Sequence, residues 1–232
     1  MSDRKIQNTL DEIVNTLEFM KTLGVAGVDC SSDILEVVKS WDRKPATEGQ
    51  TLASVQQAYQ DCRRCALSKN RSAIVFGEGD PHADLVFVGE APGEQEDLQG
   101  RPFVGPAGEL LTKIISAMKL TRESVYICNI VKCRPPSNRN PLPIEIESCS
   151  PILKRQIDLI RPKVICALGG FAARTLLSTD NSITMLRGRF HRYQGIRLMP
   201  TYHPAHLLRH PEKKRDVWED IKKIMAELGA TP

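Results

Sequence analysis

The chain alternates short, unbroken apolar runs with longer amphipathic ones. Leu85-Val86-Phe87-Val88, residues 125–131, Val164–Leu168 and residues 198–202 are runs of strand length, apolar but for Asn129 and Thr201. Between and after them, apolar residues recur every three or four positions. This spacing predicts helices over 107–118 (with Leu110, Leu111, Ile114, Ile115 and Met118 on one face), Pro143–Ile160, 171–177 and about 212–228. Strands apolar on both faces, joined by helical crossovers, imply a parallel sheet covered on both sides. The expected class is therefore α/β: a three-layer α/β/α arrangement with a central four-stranded parallel sheet. Phe190 and Tyr193 are placed in an extra edge strand.

A different pattern precedes this domain. Ile6, Leu10, Ile13, Val14, Leu17, Met20 and Leu23 fall at helical spacing and predict an N-terminal helical extension. Residues 39–51, around Pro45 and Gly49, read as a linker. The expected division is an extension with its linker over 1–50 and the main domain over 51–232. The extension's apolar stripe is read as packing in cis, and no partner for it is named by the sequence. A short helix from Leu52 to Tyr59 opens the main domain.

The polar residues that interrupt the apolar pattern carry the chemistry. Glu90 follows the first strand, Asn129 ends the second, Gly169-Gly170 follows the third and His203 follows the fourth. In a parallel sheet these positions share one edge, where ligands bind. An acid, an amide and an imidazole thus converge on one crevice from separate segments. In Gly89-Glu90-Ala91-Pro92-Gly93 the glycines let the backbone turn sharply and approach a ligand, and Pro92 stiffens the turn.

Composition and charge narrow the class. The 232 residues are 41% hydrophobic and 26% charged, and no apolar run reaches the roughly 18–20 residues of a membrane span. The first residues lack a signal-peptide core, so a cytoplasmic location is expected. The net charge is only +4, but basic residues cluster late in the chain. Arg187, Arg189, His191, Arg192 and Arg197 form one group; Arg209, His210, Lys213, Lys214 and Arg215 form another. Such groups suit a phosphate backbone.

Seven cysteines, an odd number, argue against a disulfide framework in this setting. Cys62 and Cys65 stand three apart on a predicted turn. Cys133, in a rigid proline loop, and Cys149, in the helix opened by Pro143, are the best further ligands. Cys128 and Cys166 lie inside apolar strands and read as core thiols; Cys30 falls in the extension. By spacing alone, the four could hold zinc or an iron–sulfur cluster, and a C-x-x-C redox pair is a weaker third reading.

At this point the chain resembles the family 4 uracil-DNA glycosylases, an iron–sulfur branch of that superfamily. Gly89-Glu90-Ala91-Pro92-Gly93 is similar to the family's first motif. Gly100-Arg101-Pro102-Phe103-Val104-Gly105 is similar to its uracil-stacking segment. Asn129-Ile130-Val131-Lys132-Cys133-Arg134-Pro135-Pro136 and His203-Pro204-Ala205 match further motifs, in the family's order, over about residues 52–225. The resemblance implies a structural [4Fe–4S] cluster on Cys62, Cys65, Cys133 and Cys149. It implies that Phe103 stacks on an extruded uracil, that Asn129 pairs with the uracil edge and that His203 bonds uracil O2. Glu90 orients water and stabilises charge on the sugar, and Ala91 and Pro92 line the pocket. Glu96 either closes the pocket near uracil C5 or caps the segment after the turn. Leu207 or Leu208 enters the space the base leaves, and Arg209 touches phosphate. No basic insertion follows the first motif, which argues for turnover rather than covalent trapping.

The implied activity is that of a monofunctional glycosylase acting as a monomer on uracil in single- or double-stranded DNA. Two other readings are a non-enzymatic nucleic-acid-binding protein on the same fold and an iron–sulfur electron carrier. The joint presence of Glu90, Asn129 and His203 weighs against the first. The converging polar residues weigh against the second.

Overall fold

The computed structural model describes Met20 and residues 49–229. The predicted N-terminal helix, Cys30 and most of the predicted linker lie outside the described residues.

The described residues form a six-stranded sheet in the order β1-β3-β2-β4-β6-β5, made of β1 (Glu78–Gly79), β2 (Leu85–Gly89), β3 (Tyr126–Asn129), β4 (Val164–Leu168), β5 (His191–Tyr193) and β6 (Ile196–Thr201). The four central strands β3, β2, β4 and β6 are parallel, and β1 and β5 add antiparallel edges. The four central strands are the four parallel strands expected, and β5 is the expected extra edge strand, though it begins at His191 and leaves Phe190 outside; β1 is the strand that was not expected. Tyr193 lies in β5, while β1 has only two residues and no apolar run to announce it.

Side-chain alternation along the strands divides the core in two. Val86, Val88, Cys128, Ile165, Ala167 and Leu198 face one side. There they meet Val55 of α1 (Leu52–Tyr59), Ile152, Leu153 and Ile157 of α4 (Pro143–Ile160), and Ala172, Ala173 and Leu176 of α5 (Gly169–Leu177). Leu85, Phe87, Ile127, Val164, Cys166 and Met199 face the other side. There they meet Leu111 and Ile115 of α3 (Pro106–Ala117) and Val217, Ile221 and Ile224 of α8 (Lys214–Glu227). Both faces are covered, which is why the central strands read as unbroken apolar runs. The result is the expected three-layer α/β/α fold. Short helices α2 (Glu94–Gln99), α6 (Ile183–Leu186) and α7 (Pro204–Arg209) sit in the loops.

The crossovers locate the ligand edge. From β2 the chain passes through α3 to β3 on one side; from β4 it passes through α5 to β6 on the other. Strand order therefore reverses between β2 and β4, and the crevice lies beyond their carboxyl ends.

Candidate active site

Glu90, Asn129, Gly169 and His203 all sit at the carboxyl ends of central strands. Gly89 pairs in register with Asn129, which sets the amide beside the loop that carries Glu90. A Cβ on Gly89 would lie 2.4 Å from Asn129 Oδ1 and 2.5 Å from Phe103 Cζ. Only glycine lets those two groups come so close to the strand end. The Phe103 and His203 ring centroids are 5.5 Å apart. A Cβ on Gly169 would come within 2.9 Å of His203 Cβ. The amide, the phenyl ring, the imidazole and two glycine-bared backbones are thus close neighbours at one edge of the sheet, and Ala91 and Pro92 follow Glu90 in the turn there.

Asn129 is 1% exposed, and its Oδ1 has no hydrogen-bond partner in the structure. A buried, unpaired carbonyl oxygen is costly, about 1–3 kcal/mol. Such a group marks a place where a ligand donor is expected. Phe103 is buried and adopts φ 53°, a left-handed conformation uncommon for a non-glycine residue.

The two titratable groups are displaced in opposite directions from their ordinary values. Burial raises the Glu90 carboxyl, and the nearby Arg174 guanidinium partly offsets this. Burial lowers His203 to about 4, helped by Arg209 and opposed by Glu96. The imidazole is therefore neutral at pH 7. Its Nδ1 accepts the Ala205 backbone N–H at 3.1 Å, which leaves the proton on Nε2.

Glu96 caps the segment after the turn, one of the two roles expected for it. Its carboxylate accepts the N–H groups of Gly93 at 3.1 Å, Val104 at 2.9 Å and Gly105 at 3.0 Å. It ties the turn after Glu90 to the segment that carries Phe103. Leu207, one of the two leucines expected to enter the DNA, is buried instead. It is 1% exposed and belongs to the core beneath α7, whereas Leu208 is 48% exposed on the outer side of the same helix. Arg209 is exposed beside Leu208.

The basic cluster at 187–197 is also partly structural. Arg187 bonds the buried Asp220 carboxylate at 3.0 and 2.9 Å, and Arg197 pairs with Glu227 at 3.1 Å. Asp220 in turn accepts the Thr201 hydroxyl at 2.7 Å, which fixes the end of β6 two residues before His203.

The cysteines separate as the sequence suggests. Cys128 and Cys166 are wholly buried in the sheet. Cys62, Cys65, Cys133 and Cys149 line one pocket with Arg71 and Lys132. Among the described residues no three side chains are gathered tightly enough to hold a single metal ion; the four thiols instead surround a space. Burial raises the Cys133 thiol to about 11, against the pull of Arg71, and raises Cys149 against that of Lys132; the neighbouring cysteines contribute to both rises. Arg71 Nη1 donates to Cys133 Sγ at 3.2 Å and the Lys132 N–H to Cys149 Sγ at 3.3 Å. Lys132 is 1% exposed; its ammonium donates to the Asn129 carbonyl at 2.8 Å and forms no ion pair with a carboxylate among the described residues. A buried cation needs a counter-charge, and four thiolates around an iron centre would supply it. The donor set therefore fits a cluster.

Lys132 and Asp97 are working residues that sequence reasoning passed over. The buried Asp97 carboxylate accepts the Ser72 N–H at 3.0 Å and so anchors α2 next to Arg71. Its position in an acidic run gave no sign of this.

Comparison with known proteins agrees with this geometry. The family model described as "Uracil DNA glycosylase superfamily" matches residues 76–222. A protein of Sulfurisphaera tokodaii named type-4 uracil-DNA glycosylase is 46% identical over 191 residues, covering 78% of this chain and 86% of that protein. Proteins of the same name from Saccharolobus solfataricus and Thermotoga maritima are each 45% identical. They cover 77% and 76% of this chain and 87% and 94% of their own lengths. The chain belongs to the uracil DNA glycosylase superfamily, in the company of its type-4 members.

Proposed function

We propose that this protein is a monofunctional uracil-DNA glycosylase that hydrolyses the N-glycosidic bond of deoxyuridine in DNA, releasing uracil and leaving an abasic site for base excision repair. The observation that carries the reading is the buried, unpaired Oδ1 of Asn129 against Phe103 and Gly89. Uracil offers a donor at N3 and an acceptor at O4, which an Asn amide matches with its oxygen and its NH₂. Cytosine presents the reverse pattern and leaves both groups opposed.

The reaction follows from the remaining groups. The uridine is extruded from the stack, and its ring lies against Phe103. The C1′–N1 bond breaks, its electron pair leaves on the base and charge gathers on O2. His203, neutral with its proton on Nε2, donates towards that oxygen, a preorganised stabilisation of developing charge. Glu90 faces the positive sugar and orients the water that adds to C1′. The proton released on addition balances the one the uracil anion takes up. Leu208 fills the place left by the base, since apolar wedges unstack DNA, and Arg209 meets a phosphate.

Cys62, Cys65, Cys133 and Cys149 would hold a [4Fe–4S] cluster. Thiols set around a space rather than a point would suit such a group. Bound there, it would tie the loop after β3 to the segment after α1 and would supply no step of the hydrolysis. The protein is read as a cytoplasmic monomer acting on uracil in single- or double-stranded DNA. Among the described residues no helix is long and apolar enough to cross a membrane.

The test uses Asn129→Ala and His203→Ala. Each is expected to lose about 10²-fold or more in uracil release, the scale of losing one transition-state donor, with iron content unchanged. Loss of iron in both variants would mean these side chains are structural.

A further inference from the structure

Arg122 lies outside every motif that carries the family resemblance, yet all five of its N–H donors are used. Nη1 donates to the Phe103 carbonyl at 3.0 Å and to Thr112 Oγ1 at 3.1 Å. Nη2 donates to the Pro102 carbonyl at 2.7 Å and makes a second, short contact with Glu78. Nε donates to Glu78 Oε1 at 2.9 Å. The Arg122 side chain is 14% exposed, and that of Glu78, on edge strand β1, is 21% exposed. Five donors in a rigid planar fork hold the two consecutive carbonyls behind the base-facing ring.

That peptide needs holding. Phe103 has φ 53°, and a non-glycine residue stays in this region only where its surroundings over-determine it. Helix α3 leaves room for it: a Cβ on Gly108 would lie 1.9 Å from the Phe103 carbonyl oxygen. The Thr112 hydroxyl that Arg122 contacts itself donates to the Gly108 carbonyl at 3.0 Å. Gly108 admits the carbonyl, and Arg122 receives it. Glu78 also bonds Arg101 at 2.8 Å, which anchors the segment two residues before Phe103. An edge strand too short to read from the sequence thereby braces the pocket wall.

We infer that Arg122, buttressed by Glu78, is the positioning residue that sets the Phe103 ring over the base pocket. The inference rests on the glycosylase reading for its kinetic consequence and not for its structural one. A lysine cannot replace the fork, because one ammonium cannot span Glu78 and two carbonyls.

The experiment compares wild type with Arg122→Gln and Arg122→Lys. It measures single-turnover uracil release, inhibition by free uracil, affinity for abasic DNA, iron content and a crystal structure of Arg122→Gln. In Arg122→Gln, release is expected to fall roughly 10²-fold, the effect of a displacement of about 1 Å at a reacting site. Inhibition by uracil should weaken, while abasic-DNA affinity and iron content stay at wild-type values. Arg122→Lys should recover only a small part of the loss. In the crystal, Phe103 should leave φ 53° and its ring should move off Gly89. Release within threefold of wild type, or an unmoved Phe103, would overturn the inference. So would equal losses of release and abasic-DNA affinity, which would indicate general damage. If wild type released no uracil, the glycosylase reading would fail, and the crystal position of Phe103 would still decide the role of Arg122.

Discussion

Gly89→Ala is the sharpest perturbation that the geometry allows. Gly89 does not need glycine for its backbone, since its φ lies outside the left-handed region; the constraint is space alone. The added Cβ would stand 2.4 Å from Asn129 Oδ1 and 2.5 and 2.8 Å from the Phe103 ring, where ordinary contact begins at 3.4 Å. One methyl group therefore displaces the amide or the ring by about 1 Å, and both border the pocket. Overpacking of this kind costs roughly 1–3 kcal/mol of stability. Misplacing a reacting group by about 1 Å costs on the order of 10²-fold in rate. The assay is single-turnover release of uracil from an oligonucleotide at saturating protein, together with thermal melting and affinity for abasic DNA. The expected result is a folded protein with iron retained, a melting point a few degrees lower and a rate roughly 10²-fold down, while abasic-DNA binding is kept. A rate within threefold of wild type would refute the reasoning, because the pocket would not then lie where Gly89, Asn129 and Phe103 meet.

The leucine pair on α7 separates two roles: Leu207→Ala should cost about 2–5 kcal/mol in chemical denaturation, whereas Leu208→Ala should leave stability unchanged and slow release from duplex DNA more than from single strands. Among the cysteines, Cys62→Ala and Cys149→Ala should lose the cluster and much of the folded protein, since metal binding and folding are coupled, whereas Cys128→Ala should retain about four irons per chain by iron assay. His203, with its pKa depressed to about 4, resists protonation in the folded state while the unfolded chain takes up the proton near 6.5. The unfolded state binds more protons in that window, so stability falls as pH drops from about 6.5 towards 4; the melting temperature of His203→Gln should decline less over the same range.

The legible part of the site was its strand ends. Glu90, Asn129 and His203 each interrupt an apolar pattern at a position that a parallel sheet brings to one edge, so strand assignment alone gathers them. The two core faces were legible for the same reason. What stayed hidden depends on partners far along the chain. Arg122 meets Glu78 from 44 positions away, Arg71 meets Cys133 from 62, and Asp97 meets Ser72 from 25. No local pattern announces such pairs, and β1 is too short to show a period. Charge misled where burial intervened. Arg187 reads as part of a phosphate-binding group, but the buried Asp220 claims it. Leu207 and Leu208 are adjacent and chemically identical, and only the phase of α7 on the core tells the buried one from the exposed one.

The central claim is that Asn129, Phe103, Glu90 and His203 form a pocket that selects and releases uracil. Its test is incubation of the pure protein with an excess of oligonucleotide carrying one uracil, beside strands carrying thymine or cytosine at that position. Free uracil and abasic sites are expected over many turnovers from the uracil strand and none from the others. Tight binding of the uracil strand without release, by protein whose iron is intact, would contradict it and leave a nucleic-acid-binding protein on a glycosylase fold.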